Sequence, residues 1–118
     1  MKRDPELFKK ILIEYEKLPL DGTTEMFVID GYTPDEIFYH QQLLNDAGYI
    51  VANIDHYIGG DYDIYAKRLT NDGHEFLDAA RNETNWNKVK DILGKSGGFV
   101  LEIAKDLLIT YSKNQLGL

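Results

Sequence analysis

The chain has 118 residues, no cysteine and a formal charge of −7, with 43% hydrophobic and 28% charged residues. That length suits one domain with a buried core. The composition excludes disulfides and thiolate chemistry, and its acidity disfavours polyanionic partners unless bases are gathered locally. No apolar run approaches the roughly 20 residues of a membrane span. Met1-Lys2-Arg3-Asp4-Pro5 is not followed by the apolar segment of a secretion signal, so the cytoplasm is the expected compartment.

Asp4-Pro5 predicts a helix start, with a capping acid and proline in the first turn. Leu7, Phe8, Ile11, Leu12 and Tyr15 then recur at helical spacing until Leu18-Pro19. After the Asp21-Gly22 turn, Met26-Phe27-Val28-Ile29 reads as a short strand. Thr33-Pro34-Asp35-Glu36 has the composition of a capping box and opens a second helix that Gly48 ends. On that helix Ile37, His40, Leu43, Leu44 and Ala47 share one face, and Phe38, Gln41, Gln42 and Asn45 lie on the other side.

Residues 49–58 and 61–69 predict a hairpin joined by Gly59-Gly60. A two-residue loop would pair Tyr57 with Tyr62, His56 with Asp63 and Ile50 with Leu69, leaving Ile50, Ile54, Tyr65 and Leu69 on one face. Thr70 caps a third helix carrying Gly73, Phe76, Leu77 and Ala80. A fourth runs past Trp86, Val89, Ile92 and Leu93 to Gly94, and Ser96-Gly97-Gly98 precedes a last helix striped with Val100, Ile103, Ala104, Leu107, Leu108 and Tyr111.

Leu43-Leu44-x-x-Ala47-Gly48, a hairpin, then Leu69-Thr70-x-x-Gly73 resembles the winged helix-turn-helix of many bacterial regulators over residues 33–81. That resemblance implies a recognition helix in the major groove and a hairpin wing. Only Asp30, Gly31 and Tyr32 separate the predicted strand from Thr33, too few for the usual positioning helix. A second resemblance covers nearly the whole chain. Met1-Lys2-Arg3-Asp4, Tyr39-His40, the run from Leu69 to Arg81, Trp86-Asn87-Lys88 and Gly97-Gly98 are similar to a family of uncharacterised small proteins common in phages and prophages. It implies a bacterial host cytoplasm and carries over no functional residue.

Charge cuts across the regulator pattern. From Leu18 to Ala66 there are nine acids and no lysine or arginine, over the would-be recognition helix and most of the wing. Gln41, Gln42 and Asn45 could read adenine, but no neighbouring base holds phosphate for them. His40 is expected to be a hydrogen-bonded core residue, His56 a partner of Asp63, and His74 a surface neighbour of Asp78. Gly94-Lys95-Ser96 lacks the upstream glycine of a P-loop, Val89 standing there. Ser96 and Ser112 have no histidine base nearby in sequence.

The expected fold is α+β: a winged-helix-like domain with a small antiparallel sheet and added C-terminal helices. It forms a single domain over 1–118, with a core over about 4–81 and a helical extension over about 84–115. The expected function is non-enzymatic, without cofactor or metal: a phage- or prophage-type accessory protein that binds another macromolecule. A protein partner is favoured, and the alternative is a winged-helix DNA-binding regulator. The candidate partner surface is Phe38, Gln41, Gln42, Asn45, Tyr57 and Tyr62; Lys9, Lys10, Lys67 and Arg68 are the phosphate contacts if DNA is bound. The regulator resemblance implies that the last helix forms a homodimer seam; the alternative is that it covers the core.

Overall fold

The computed structural model describes residues 1–95 and 98–117. In chain order these form α1 (Pro5–Glu16), α2 (Pro34–Asp46), β1 (Ile50–His56), β2 (Tyr62–Leu69), α3 (Asn71–Ala80), α4 (Glu83–Lys95) and α5 (Leu101–Gln115). The fold is therefore α+β, five helices with one two-stranded antiparallel sheet among the described residues. Ser96 and Gly97 of the predicted break, with the serine of the P-loop-like run, lie outside the described residues.

Local chemistry sets the helix ends. Asp4 Oδ1 accepts the amide protons of Glu6 and Leu7, and Pro5 fills the position that needs no donor. Thr33 and Glu36 form a reciprocal capping box on α2. At the other end of α2, Gly48 takes φ 81° while its N–H donates to Asn45 and that of Tyr49 to Leu44, a Schellman stop. Thr70 caps α3 through the Gly73 amide and gives its own hydroxyl proton to Gly48 C=O at 2.6 Å. Gly73 is required there, because a Cβ would come 2.0 Å from the Tyr49 carbonyl oxygen. Gly94 does not stop α4, which runs through it to Lys95.

One hydrophobic cluster joins both ends of the chain: Leu7, Phe8, Ile11 and Leu12 of α1 meet Phe76 and Leu77 of α3, Trp86 and Val89 of α4, and Ala104 and Leu108 of α5. Trp86 is fully buried, its Nε1–H donating to Glu6 at 2.8 Å. The predicted α5 stripe is rotated. Ala104 and Leu108 are buried and Leu101 is half-buried, whereas Val100 and Ile103 are exposed.

His40 explains why Asp4 and the Tyr39-His40 pair belong together. Its ring is buried, Nε2 accepts the Asp4 amide proton at 2.8 Å, and Nδ1 lies 2.7 Å from Glu36 C=O. These partners use the tautomer with hydrogen on Nδ1. Tyr32 donates to the second Asp4 oxygen at 3.0 Å, so one residue fixes the start of α1 against the start of α2. Burial first, and then that bond, raise the Tyr32 phenol to about 12.

The predicted strand over 26–29 is corrected to extended chain without a ladder. Burial alternates as in a strand, with Met26 and Val28 out and Phe27 and Ile29 in, but the bridge lies earlier, between Thr23 and Ala66. Gly22 makes it possible: φ is 73°, and a Cβ would sit 2.3 Å from Ala66 C=O. Phe27 then turns toward α1, its ring 5.3 Å from that of Tyr15.

Candidate interaction surface

The hairpin register decides which side chains face out. Ile50 stands opposite Leu69, as predicted, but the two-residue loop does not form. Tyr57 N–H closes on Asp61 C=O at 2.8 Å around Ile58, Gly59 and Gly60. The upper ladder therefore pairs His56 with Tyr62, Asp55 with Asp63, Ile54 with Ile64 and Asn53 with Tyr65. A bulge restores the base: Val51 pairs with Arg68 and Ala52 with Ala66, leaving Lys67 extra. Without it Arg68 would turn inward and Leu69 outward. The buried face becomes Ile50, Ala52, Ile54, Ile64, Ala66 and Leu69; Tyr65, expected on it, is exposed.

This face folds over α2 and consumes the side of that helix expected to be free. Phe38 is buried, stacked on Tyr62 with centroids 3.6 Å apart and edge-on to His56 at 5.3 Å. Gln41 is buried and accepts the Tyr15 hydroxyl at 2.6 Å. Gln42 reaches His56 at 3.1 Å, and Asn45 Oδ1 accepts the Ala52 amide proton at 3.1 Å. Of the candidate surface, Tyr57 alone is exposed; Tyr62 is half-buried and stacked. The exposed positions of α2 are Pro34, Asp35 and Asp46, beside the half-buried Tyr39 and Leu43, with the exposed C-cap Ala47 following.

The candidate phosphate contacts divide. Lys9 is buried, 3.0 Å from Glu83 and over the Trp86 ring at 5.4 Å, so its ammonium is internally committed. Lys10, Lys67 and Arg68 are exposed, and none is within salt-bridge distance of a carboxylate among the described residues. Lys10 lies over the Tyr32 ring, Lys67 over that of Tyr65, and Arg68 donates to Leu69 C=O. The histidines do not converge: His56 is opposite Tyr62 rather than Asp63, and His74 is exposed while Asp78 lies near Arg81. Ser112 donates back to Leu108 C=O.

The surface that emerges is the outer face of the hairpin. Asn53, Asp55, Tyr57, Asp61, Asp63 and Tyr65 are all exposed. Asp55 and Asp63 stand directly opposite each other, an arrangement that costs stability in an antiparallel pair. Tyr57 donates to Asp63 at 2.8 Å, which holds its phenol above the ordinary value. Tyr65 donates to Asp21 C=O, pinning the turn before Thr23 to the same face. Sequence reasoning missed Asp55, Asp63 and Tyr65 because the assumed register was one residue off at the tip. The signal was present in the base-free stretch itself.

The molecule is a small α+β domain whose outward chemistry is an acidic, tyrosine-flanked hairpin. By sequence the chain belongs to the family described as "Hypothetical protein (DUF2513)", which matches residues 2–99. It is also similar to a protein of Haemophilus influenzae (strain KW20 / Rd), described as "Uncharacterized protein". The two are 35% identical over 125 aligned positions, covering 98% of this chain and 99% of the relative. No solved structure matches the chain. Among the described residues no helix is long and apolar enough to cross a membrane, and no group of His, Asp or Glu could hold a metal ion.

Proposed function

We propose that the chain is a non-enzymatic, cytoplasmic accessory protein of phage or prophage type. It binds another macromolecule through a winged-helix-like module, and the partner is a protein with a basic surface. The observation that carries this reading is Asp55 opposite Asp63 on an exposed face, within a stretch that has no base of its own. Like charges face to face weaken the hairpin, and local rules are broken most often at functional sites. A cationic partner supplies the missing counter-charge and gains steering from it.

The winged-helix reading draws on layout. Thr23 bridges β2 where a winged helix has its first strand, α2 follows, and β1–β2 makes the wing. No helix occupies residues 24–32 in the positioning place. The amides that would read bases are bonded internally instead. At the start of α5 the exposure of its N-cap Val100 and of Ile103 supports a homodimer seam.

The test is affinity capture from a lysate of the encoding bacterium, comparing wild type with the double variant Asp55→Asn, Asp63→Asn. Captured proteins should disappear with the double variant while the fold persists, and duplex DNA should not bind at low salt. Unchanged capture by the folded variant would overturn the surface assignment. DNA binding is the second reading, favoured by the unmatched Lys10, Lys67 and Arg68. It requires duplex binding with a steep salt dependence that the triple alanine variant loses.

A further inference from the structure

Beyond the Thr23 bridge to Ala66, the outer edge of β2 is unpaired among the described residues. Antiparallel pairs alternate between residues that exchange ladder bonds and residues whose backbone groups point away. Tyr57 bonds to Asp61, and Ala66 exchanges both its bonds with Thr23 rather than β1, at 2.8 and 2.9 Å. By that alternation Tyr62 and Ile64, in phase with Ala66, also turn N–H and C=O away from β1. Thr23 satisfies Ala66, but residues 24–27 do not continue the pairing to Ile64 or Tyr62. Phe27 draws that segment toward Tyr15 instead.

Between the diverging segment and β2 lies a slot of about 80 Å³, lined by Met26, Phe27, Ile37, Phe38, Tyr62 and Ile64. Glu25 and Asp63 also border it and are exposed. The sheet is thus apolar on the side facing the slot and acidic on the other, with unpaired backbone between. We propose that this edge takes an extended segment of a partner protein in which basic and apolar residues alternate. Its backbone pairs with Tyr62 and Ile64 as an added strand. Alternate side chains then point to opposite faces, so the apolar ones enter the slot and lysines or arginines lie beside Asp63 and Glu25. The site rests on the protein-binding reading above and specifies how that partner docks.

The experiment uses the full chain and synthetic peptides: one alternating lysine and valine, one of the same composition with lysines and valines in blocks, and one alternating glutamate and valine. Binding and amide hydrogen exchange are followed by NMR. The alternating lysine peptide should bind and slow exchange at Tyr62 and Ile64 by more than about tenfold. The block peptide should bind at least about tenfold more weakly, the glutamate peptide should not bind, and Glu25→Lys with Asp63→Lys should remove binding without lowering the Tm. Equal binding by the block peptide overturns the proposal, as does protection mapping to other residues. Protection of Tyr62 and Ile64 in the free protein also overturns it, since residues 24–27 would then close the edge. If no peptide binds while lysate capture still depends on Asp55 and Asp63, the edge site fails and the protein-binding reading stands. If both fail, so do both readings.

Discussion

The two sides of this molecule treat charge in opposite ways. Among α1, α3, α4 and α5, several cations are matched across elements: Lys9 with Glu83, Lys90 with Glu6, Arg81 with Glu16, and Lys105 with Asp72 at 2.8 Å, while Lys10 is left without a carboxylate among the described residues. Lys9 and Lys90 also cover the Trp86 ring. On the hairpin, acid faces acid, and Met26, Val28, Tyr57 and Ile58 are exposed nearby. On the helical side most buried charge is paired within the fold, though Val100 and Ile103 stay exposed. The other side leaves facing acids and apolar side chains exposed, the feature on which the proposed partner contact rests.

The matched side should break hardest at its centre. Trp86→Ala removes the largest fully buried side chain and the donor to Glu6. It should cost about 3–5 kcal/mol in denaturant titrations. Gly73→Ala should follow, costing about 1–3 kcal/mol or more, because the new Cβ would press on a backbone carbonyl. Neither position touches the hairpin's outer face, so a variant that still folds should keep the binding behaviour of the wild type.

Next in size are pH effects. Burial raises the Glu6 pKa, but the hydrogen bonds from Lys90 and Trp86 and the charges of Lys90 and Lys9 outweigh it and hold the carboxyl below 4.5. A depressed acid stabilises the fold above its unfolded value, and that contribution is lost as pH falls below about 4.5. Lys90→Met should flatten this acid limb in a stability–pH profile. Tyr32 runs the other way: its folded value is raised from 10.0 to about 12. Its contribution is whole below pH 10 and is lost as pH rises to about 12. Tyr32→Phe should remove that part of the alkaline limb, as read by phenolate absorbance alongside unfolding.

The smallest effect has the opposite sign. Asp55→Asn relieves the facing pair and should raise stability by about 0.2–1 kcal/mol, less at high salt. Loss of stability instead would show that Asp55 is held by the fold.

Much of the helical framework was legible in the chain. Asp4-Pro5, Thr33 with Glu36, and Thr70 with Gly73 act within one helical turn, so their sequence carries their structure. What was hidden depends on distant partners. Lys9 reads as a surface lysine until Trp86 and Glu83 come to cover it. Phe38 and Gln41 read as a free helix face until the hairpin and Tyr15 close on them. The bulge at Lys67 has no local signature; the need to bury both Ala66 and Leu69 imposes it. Because that bulge shifts the tip by one residue, Asp55 facing Asp63 could not be read before the fold was known. The base-free stretch could, and the facing acids lie within it.

The most direct measurement is paired on one protein: the melting temperature and partner capture of the Asp55→Asn, Asp63→Asn variant. If the acid face serves a partner, the variant melts higher than the wild type and captures nothing the wild type captures. A variant that melts lower, or that captures the same proteins, would contradict the account.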